Sequence, residues 1–252
     1  MKTKFLSINY NEENYKVSTS YREGGDQLLF FIHGLGCSKD SFIDVFKYDF
    51  FSKYSILTID LPGFGNSEKK DLFPYKMEDH ADICAEVLKL FSFNKLHIVA
   101  HSMGGAVGLI LCKNYNLPVE TFANLEGNLI TSDCGIISRR AATLSYKEFY
   151  DNLYPELMKN KRDGRFFIHE SSPKGFYESA LSLVKWSDSG ELIKIFKDLP
   201  CKQNFFYGSH NQDMEILKQL YEIEKTAIED CGHFMMNDNS DDFYLKVKKF
   251  IG

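Results

Sequence analysis

A serine lies on a predicted corner between a buried strand and a helix. Ser102 follows the apolar run 96–99 and precedes the apolar run 106–111, with Ala100 and Gly104 two positions to either side. A sharp strand-to-helix turn strains the backbone of its apex residue and brings other backbone close, so those two positions must be small. The pattern A-H-S-M-G is a G-x-S-x-G elbow with alanine in place of the first glycine. It predicts a serine hydroxyl placed to act as a nucleophile.

A serine hydroxyl is a weak nucleophile until a nearby base takes its proton. Among the seven histidines, His233 is the candidate base, because it follows the last predicted strand in a loop late in the chain. A carboxylate must then orient the imidazole and stabilise its charged form. Two carboxylates stay open for that role. Glu126 ends the strand that follows the elbow helix, and Asp213 lies in the loop after the penultimate strand.

Four segments with chemistry-bearing residues each follow a predicted strand. They are the glycine loop 33–36, the Pro/Gly turn 60–67, the Ser102 elbow and the histidine loop 230–234. Ligands of open parallel sheets bind at the carboxyl ends of the strands. The four segments are therefore expected to meet at one edge of a sheet.

Continuous apolar runs predict strands that are buried on both faces of a parallel sheet. Such strands are predicted at 27–32, 54–59, 96–99, 121–125, 203–207 and 225–228, after a hairpin over 5–8 and 15–20. Helices are predicted between them at 41–51, 77–91, 214–220 and 240–251, besides the elbow helix. This alternation predicts an α/β fold, a doubly wound, mostly parallel sheet flanked by helices.

The segment between the strands at 121–125 and 203–207 is too long for an ordinary connection. Helical patterns at 137–144, 147–159, 175–184 and 190–196 predict an insertion, so we expect a core domain of residues 1–127 and 201–252 and a helical cap of residues 128–200. Aromatic residues of the insertion suggest an apolar acyl pocket, with Trp186 as a candidate substrate contact; they are Phe149, Tyr150, Phe166, Phe167, Phe176, Tyr177 and Trp186.

Composition describes an ordinary globular chain of 252 residues, with 44% apolar residues, 26% charged residues and a formal net charge of −5. Nucleic acid is therefore an unexpected partner. The absence of an apolar run of membrane-spanning length, and of a signal-peptide pattern at the start, predicts a cytoplasmic protein with no membrane partner. Six scattered cysteines without a C-x-x-C pair argue against a disulfide framework or a metal site.

Taken together, the four segments resemble the α/β-hydrolase superfamily, in its small serine esterase branch with an H-G-x-G loop and a D-x-P-G-x-G-x-S turn. The resemblance implies an oxyanion hole made by the backbone amides of Leu35 and Met103, with His33, Gly34 and His101 shaping the substrate pocket. The family commonly carries its acid three residues past a glycine after the penultimate strand. Here that position is Asn211, which is uncharged.

The resemblance implies a serine hydrolase that needs no cofactor and cleaves a small or medium, largely apolar carboxylic ester or thioester through an acyl-enzyme. C–C bond hydrolases, lactonases and acyltransferases share this machinery and stay open as alternatives. A non-catalytic ligand-binding protein on the same fold is a further alternative, which Asn211 motivates. We expect a monomer or a homodimer.

Overall fold

A mixed sheet forms the centre of the protein, whose computed structural model describes residues 1–159 and 168–252. The strands of the described residues are β1 (Lys2–Tyr10), β2 (Glu13–Arg22), β3 (Gln27–Ile32), β4 (Ser55–Ile59), β5 (Lys95–His101), β6 (Val119–Leu125), β7 (Lys202–Gly208) and β8 (Glu224–Ile228). Their order across the sheet is β1-β2-β4-β3-β5-β6-β7-β8. The first two pairings are antiparallel, and all others are parallel.

The strand order reverses direction at β3. The chain moves from β3 to β4 on one side and then returns to place β5 on the other side of β3. Loops that follow the two strands flanking such a switch point diverge and leave a crevice between them. The segments that follow β3 and β5 are the glycine loop and the Ser102 elbow, so the topology brings both to one crevice.

Helices cover both faces of the sheet. They are α1 (Met77–Leu88), α2 (Met103–Asn114), α3 (Ile136–Ala142), α4 (Tyr146–Glu148), α5 (Tyr154–Lys159), α6 (Pro173–Ser189), α7 (Glu191–Asp198), α8 (Ile216–Gln219), α9 (Met235–Asp238) and α10 (Ser240–Ile251). Residues of α1, α2, α6 and α7 pack into the core on one face, and those of α9 and α10 pack into the core on the other. None of these helices combines the length and the apolar character that a membrane crossing needs.

Every side chain of β3 after Gln27 is apolar, and the two faces of the strand explain why. Leu28, Phe30 and Ile32 point into one core, whereas Leu29 and Phe31 point into the other. All five side chains are at most 1% exposed. Because successive side chains of a strand alternate between faces, a strand covered on both sides is apolar on both faces along most of its length. The predicted doubly wound, mostly parallel α/β sheet is confirmed.

Two predicted helices differ from the structure. The segment predicted as a helix at 41–51 forms two 3₁₀ helices, Lys39–Lys47 and Asp49–Phe51. In the insertion, the stretch predicted as one helix over 147–159 is α4, a π-helical turn over Phe149–Leu153, and α5. Pro155 lies in the first turn of α5, and because proline has no N–H to donate to the preceding turn, a regular α-helix cannot run through it.

Between β6 and β7 the described residues contain α3 to α7 and no strand. Hydrogen bonds made by α6 and the residue before it attach this insertion to the core. The amide of Ser172 donates to the carbonyl of Gly63 at 2.7 Å, and His80 Nε2 lies 3.0 Å from Ser179 Oγ. The amide of Met77 donates to Ser182 Oγ at 3.0 Å. These bonds hold α6 against the start of α1.

Candidate active site

Ser102 occupies the apex of the corner between β5 and α2. Its backbone angles are φ 53° and ψ −120°, in a region that residues other than glycine rarely adopt. The apex is held by a hydrogen bond from its amide to the carbonyl of Leu125, at 3.0 Å. A Cβ atom on Gly104 would lie 2.4 Å from the carbonyl oxygen of Ile32, so only glycine permits α2 to approach β3 this closely. The strained, crowded corner predicted from the small residues is present.

His233 forms a hydrogen bond with a buried carboxylate. Its Nδ1 lies 2.8 Å from Glu126 Oε2, in a pair whose imidazole is 40% exposed and whose carboxylate is 2% exposed. Because an ionised carboxylate only accepts, Nδ1 carries the proton and Nε2 keeps a free electron pair. Among the described residues, Nε2 of this ring has no hydrogen-bond partner.

Glu126 is held from three sides. Asn211 Nδ2 lies 2.9 Å and 3.0 Å from its two carboxylate oxygens, and the amide of Gly208 donates to Oε1 at 2.9 Å. Burial on its own raises the pKa of Glu126, but the bonds from His233, Asn211 and Gly208 outweigh burial and hold the pKa below its ordinary value. The carboxylate is therefore charged where it meets His233. Its backbone has a φ of 42°, so it lies, like Ser102, in the left-handed region.

Asp213, the other candidate for the acid, is exposed in the segment between Asn211 and α8. It makes no hydrogen bond or ion pair with His233 in the described part of the chain. Sequence reasoning missed the role of Asn211, which is to donate to Glu126. A signal for that role was present, because an amide stands at the position where the resemblance implies an acid, and a second carboxylate there would repel Glu126.

His33, the first residue of the glycine loop, holds the backbone of that loop in place. This residue is fully buried, with Nδ1 2.8 Å from the carbonyl of Gly34 and with Nε2 accepting from the amide of Leu61 at 3.0 Å. The resemblance implied that His33 shapes the pocket; in the structure no part of its ring is accessible, and both ring nitrogens bond to backbone. Gly34 lies against the elbow, since a Cβ atom on it would be 3.0 Å from Cβ of Ser102.

The backbone amides of Leu35 and Met103 are the two donors that the resemblance assigns to an oxyanion hole. The amides of Leu35 and Met103 donate to no other backbone group within residues 1–159 and 168–252. Met103 is the first residue of α2, where backbone amides have no partner within the helix. Both predicted oxyanion-hole residues thus offer an unused donor near the elbow.

His101, the residue before the serine, is also buried rather than exposed to a pocket. Its ring lies 4.5 Å from the ring of His233 and 5.5 Å from that of Phe234, measured between centroids. Its Nε2 lies 2.9 Å from the carbonyl oxygen of His233. The resemblance implied that His101 shapes the substrate pocket, and in the structure its ring contacts the histidine loop.

Trp186 lies away from the elbow. Its ring lies 5.7 Å from Nζ of Lys113, near the C-terminal end of α2, whereas Ser102 is at the N-terminal end of that helix. A helix of 12 residues is roughly 18 Å long, so the predicted substrate contact of Trp186 is not supported.

Phe149 and Phe176 stack on each other at 5.7 Å and are fully buried within the insertion. Phe166 and Phe167 lie outside the described residues.

Ser102 Oγ makes no hydrogen bond to the His233 ring in the part of the chain that the structure describes. Catalytic hydrogen bonds are often long in unliganded sites and shorten when a substrate is bound. The same described residues contain no cluster of three or more histidine, cysteine or acidic side chains arranged to hold a metal ion. The site is thus an assembly of a serine, a histidine, a carboxylate and backbone amides.

Residues 27–189 match the protein family described as the alpha/beta hydrolase fold. A lipase of Moraxella sp., lipase 3, is 32% identical over 229 residues, which are 85% of this chain and 71% of that protein. A Mycoplasma genitalium protein named as an esterase/lipase is 23% identical over 78% of this chain, and the match spans 66% of that protein. For three other curated relatives the chain spans only 25–49% of their length.

Solved structures agree with the fold. A bromoperoxidase from Bacillus anthracis superposes with a TM-score of 0.78 over 98% of this chain and 99% of its own, at 14% identity. An esterase from Exiguobacterium antarcticum gives a TM-score of 0.74 over 97% of this chain and 98% of its own, at 15% identity. Likeness at such low identity shows the fold alone. Together with the family match over residues 27–189, it means that this chain belongs to the alpha/beta hydrolase fold family and has proteins named esterases and lipases among its relatives.

Proposed function

We propose that this protein is a serine hydrolase that cleaves a small or medium, largely uncharged carboxylic ester or thioester. Ser102 is the nucleophile, His233 the general base and Glu126 the acid that orients it. The observation that carries the proposal is the 2.8 Å hydrogen bond between His233 Nδ1 and Glu126 Oε2, beside a serine held at a strained apex. Strain of this kind clusters at functional sites.

In the first half-reaction, Ser102 Oγ attacks the carbonyl carbon of the ester while His233 Nε2 takes the hydroxyl proton. The electron pair of the carbonyl double bond moves to its oxygen, where the amides of Leu35 and Met103 donate to the developing charge. One such donor contributes about 10²–10³ in rate. Glu126 stabilises the imidazolium by remaining charged, and it holds the proton of Nδ1 in place.

The intermediate then collapses as its oxygen re-forms the double bond and the carbon–oxygen or carbon–sulfur bond to the leaving group breaks. His233 returns its proton to the departing alkoxide or thiolate, which leaves the acyl group on Ser102. Water repeats the sequence, with His233 taking a proton from water and later returning it to Ser102 Oγ. The products are a carboxylic acid and an alcohol or thiol.

An uncharged substrate is supported by the pairing of the cationic side chains of α3. Arg139 binds both carboxylate oxygens of Asp188 at 2.7 Å, and Arg140 binds those of Glu156 at 2.8 and 2.6 Å. Both guanidinium groups are thus already paired with a carboxylate. We further propose that residues 128–200 act as a cap, because α6 is attached at Gly63 and at the start of α1, close to the turn that follows β4.

The non-catalytic alternative was motivated by the uncharged Asn211. The bond between His233 and Glu126 removes that motivation, because a carboxylate from another strand reaches the histidine. Lactone opening, C–C bond cleavage and acyl transfer use the same groups, and product analysis with and without acceptor alcohols separates them from ester hydrolysis.

The test is intact-protein mass after incubation with a fluorophosphonate probe. A single adduct is expected on the wild-type protein and on Ser7→Ala, which removes an exposed serine of β1. No adduct is expected on Ser102→Ala. Absence of an adduct on the wild type, or its persistence on Ser102→Ala, would overturn the proposal. Positive labelling justifies a series of p-nitrophenyl esters of increasing chain length, with acid and alcohol products quantified.

A further inference from the structure

His101 joins three segments of the candidate site. It ends β5 and adjoins Ser102, and a Cβ atom on Gly34 of the glycine loop would lie 3.0 Å from its Nδ1. Its Nε2 lies 2.9 Å from the carbonyl oxygen of His233 in the histidine loop. His101 and His233 are 132 residues apart along the chain, so a single buried ring connects backbone that no local interaction could hold together.

Hydrogen bonding determines the protonation of this ring. A carbonyl oxygen can only accept, so Nε2 of His101 carries a proton. Nδ1 is buried and has no hydrogen-bond partner in the described part of the chain. A proton on Nδ1 would therefore be a buried, unpartnered charge, which is costly. The neutral ring with its proton on Nε2 is the form that fits.

The surroundings of the ring reinforce its neutrality. Burial lowers the pKa of His101 well below its ordinary value, and the nearby rings of His233 and His33 lower it further, while the bond to the carbonyl of His233 opposes them. His233 must become an imidazolium during the proposed reaction. A neutral His101 at 4.5 Å avoids a second positive charge against it.

The bond from His101 restrains the residue that carries the base, at its own backbone. Apart from this bond, only the contact with Glu126 gives His233 a hydrogen bond among the described residues. The ring of His233 is 40% exposed, so packing encloses it incompletely. A base with few restraints spends much of its time away from a productive geometry, and a displacement of 1 Å can cost about 10² in rate.

We propose that His101 is a positioning residue for His233: its Nε2–H, held in a neutral ring, fixes the backbone of the histidine loop so that His233 Nε2 faces Ser102. This inference rests on the proposed function of Ser102 and His233. It differs from the role of Glu126, which acts on the side chain of His233, because His101 acts on the main chain of the same residue.

The chain offers a matched control on the same strand. His97 lies four residues before His101 on the same face of β5, roughly 13 Å away. It is 2% exposed, and both of its ring nitrogens are hydrogen-bonded, to Thr121 at 2.9 Å and to Gln27 at 3.1 Å. Replacing His97 removes a buried histidine and its bonds at the end of β5 that is remote from Ser102.

The experiment compares the rates of fluorophosphonate labelling of His101→Leu, His101→Gln and His97→Leu with that of the wild type. Melting temperatures are recorded alongside. His101→Leu removes the donor and should label about 10- to 100-fold more slowly. His101→Gln places an amide N–H near Nε2 and should recover most of the rate. His97→Leu should melt earlier yet label at the wild-type rate per folded molecule.

Equal labelling by His101→Leu and the wild type would overturn the inference, as would a loss in His101→Gln as large as that in His101→Leu. A wild type that is not labelled at all would instead overturn the proposed function, and the inference with it. If His101→Leu does not fold, imidazole nitrogen NMR of the wild type decides. The inference requires a neutral His101 with its proton on Nε2 from about pH 5 to 8, and titration of His101 within that range would refute it.

Discussion

Asn211 donates its side-chain amide to both carboxylate oxygens of Glu126, at 2.9 and 3.0 Å, from the segment that follows β7. The position at which the family commonly carries its acid is thus occupied by a donor that supports a carboxylate carried on β6. Only one of the two positions can hold a negative charge at low cost, because two carboxylates at this separation repel each other. The amide and the acid are therefore a matched pair.

Glu126→Gln should lower the rate of ester hydrolysis by about 10³–10⁴, the range expected when the group that orients a catalytic histidine loses its charge. Asp213→Asn, an exposed carboxylate in a neighbouring segment, should change the rate less than about twofold. Steady-state hydrolysis of a p-nitrophenyl ester measures both. Two variants that both keep the wild-type rate would remove Glu126 from the proposed site.

Asn211→Asp should destabilise the protein increasingly as the pH rises. The new carboxyl would share a proton with Glu126, so the pair keeps a raised pKa in the folded state that the unfolded chain lacks. A raised pKa means that the folded state binds more protons, and stability falls as pH rises through that window. We expect the loss of unfolding free energy relative to wild type to grow by about 1–3 kcal/mol between pH 5 and pH 8.

Urea denaturation at the two pH values measures this change. Asn211→Ala removes the amide without adding a charge, so its loss should differ little between the two pH values. A loss for Asn211→Asp that is equally independent of pH would contradict the close approach of residues 211 and 126.

Asp133 provides a second pH effect, outside the proposed catalytic groups. Burial raises the pKa of its carboxyl to about 6, against the bonds that it accepts from the amides of Leu129 and Ile130. Because the unfolded carboxyl titrates near pH 4, wild-type stability should fall between about pH 4 and pH 6, by at most about 3 kcal/mol. Asp133→Asn cannot lose a proton, so it should gain stability relative to wild type across that interval.

Thermal or urea unfolding of Asp133→Asn and wild type at pH 4 and at pH 7 tests this prediction. Relative to wild type, the unfolding free energy of Asp133→Asn should rise by about 1–3 kcal/mol from pH 4 to pH 7. A difference that does not change with pH would show that Asp133 has an ordinary pKa in the folded protein.

Gly104→Ala should be among the most damaging substitutions in α2. A Cβ atom there would lie 2.4 Å from the carbonyl oxygen of Ile32 and 2.7 Å from that of His33, and backbone at this position cannot yield. We expect a loss of about 3 kcal/mol or more, or failure to fold. Gly108→Ala on the same helix would meet side chains rather than backbone, namely the ring of Phe122 at 3.1 Å and Cβ of Ala100 at 3.5 Å. Because alanine favours a helix more than glycine does, the unfolding free energy of Gly108→Ala should stay within about 1 kcal/mol of the wild-type value. Equal losses for the two variants would disprove the close packing of the elbow.

Several features of the fold could be predicted from short stretches of the sequence. The run Gln27–Ile32 is a strand with the predicted bounds, and its five apolar residues after Gln27 are typical of a strand covered on both faces. The small residues around Ser102 predicted its corner, because the crowding at such a turn depends on neighbours within a few positions. The family and the fold followed from segments of this kind. Helix continuity in the insertion was less predictable, because the π-helical turn before Pro155 depends on packing as well as on local preference.

The sequence by itself determined where the candidate serine and histidine and the amides proposed for an oxyanion hole lie along the chain, since each is marked by its own turn. Only the tertiary structure decided which carboxylate meets His233, because Glu126, Asn211 and His233 follow three different strands and come together only when β6, β7 and β8 align in register. The contacts of His101 and Trp186 were likewise decided only by the tertiary structure. Whether a buried ring contacts substrate, a loop or a helix end depends on the distances between segments that are far apart in the chain. Residue type alone does not determine those distances.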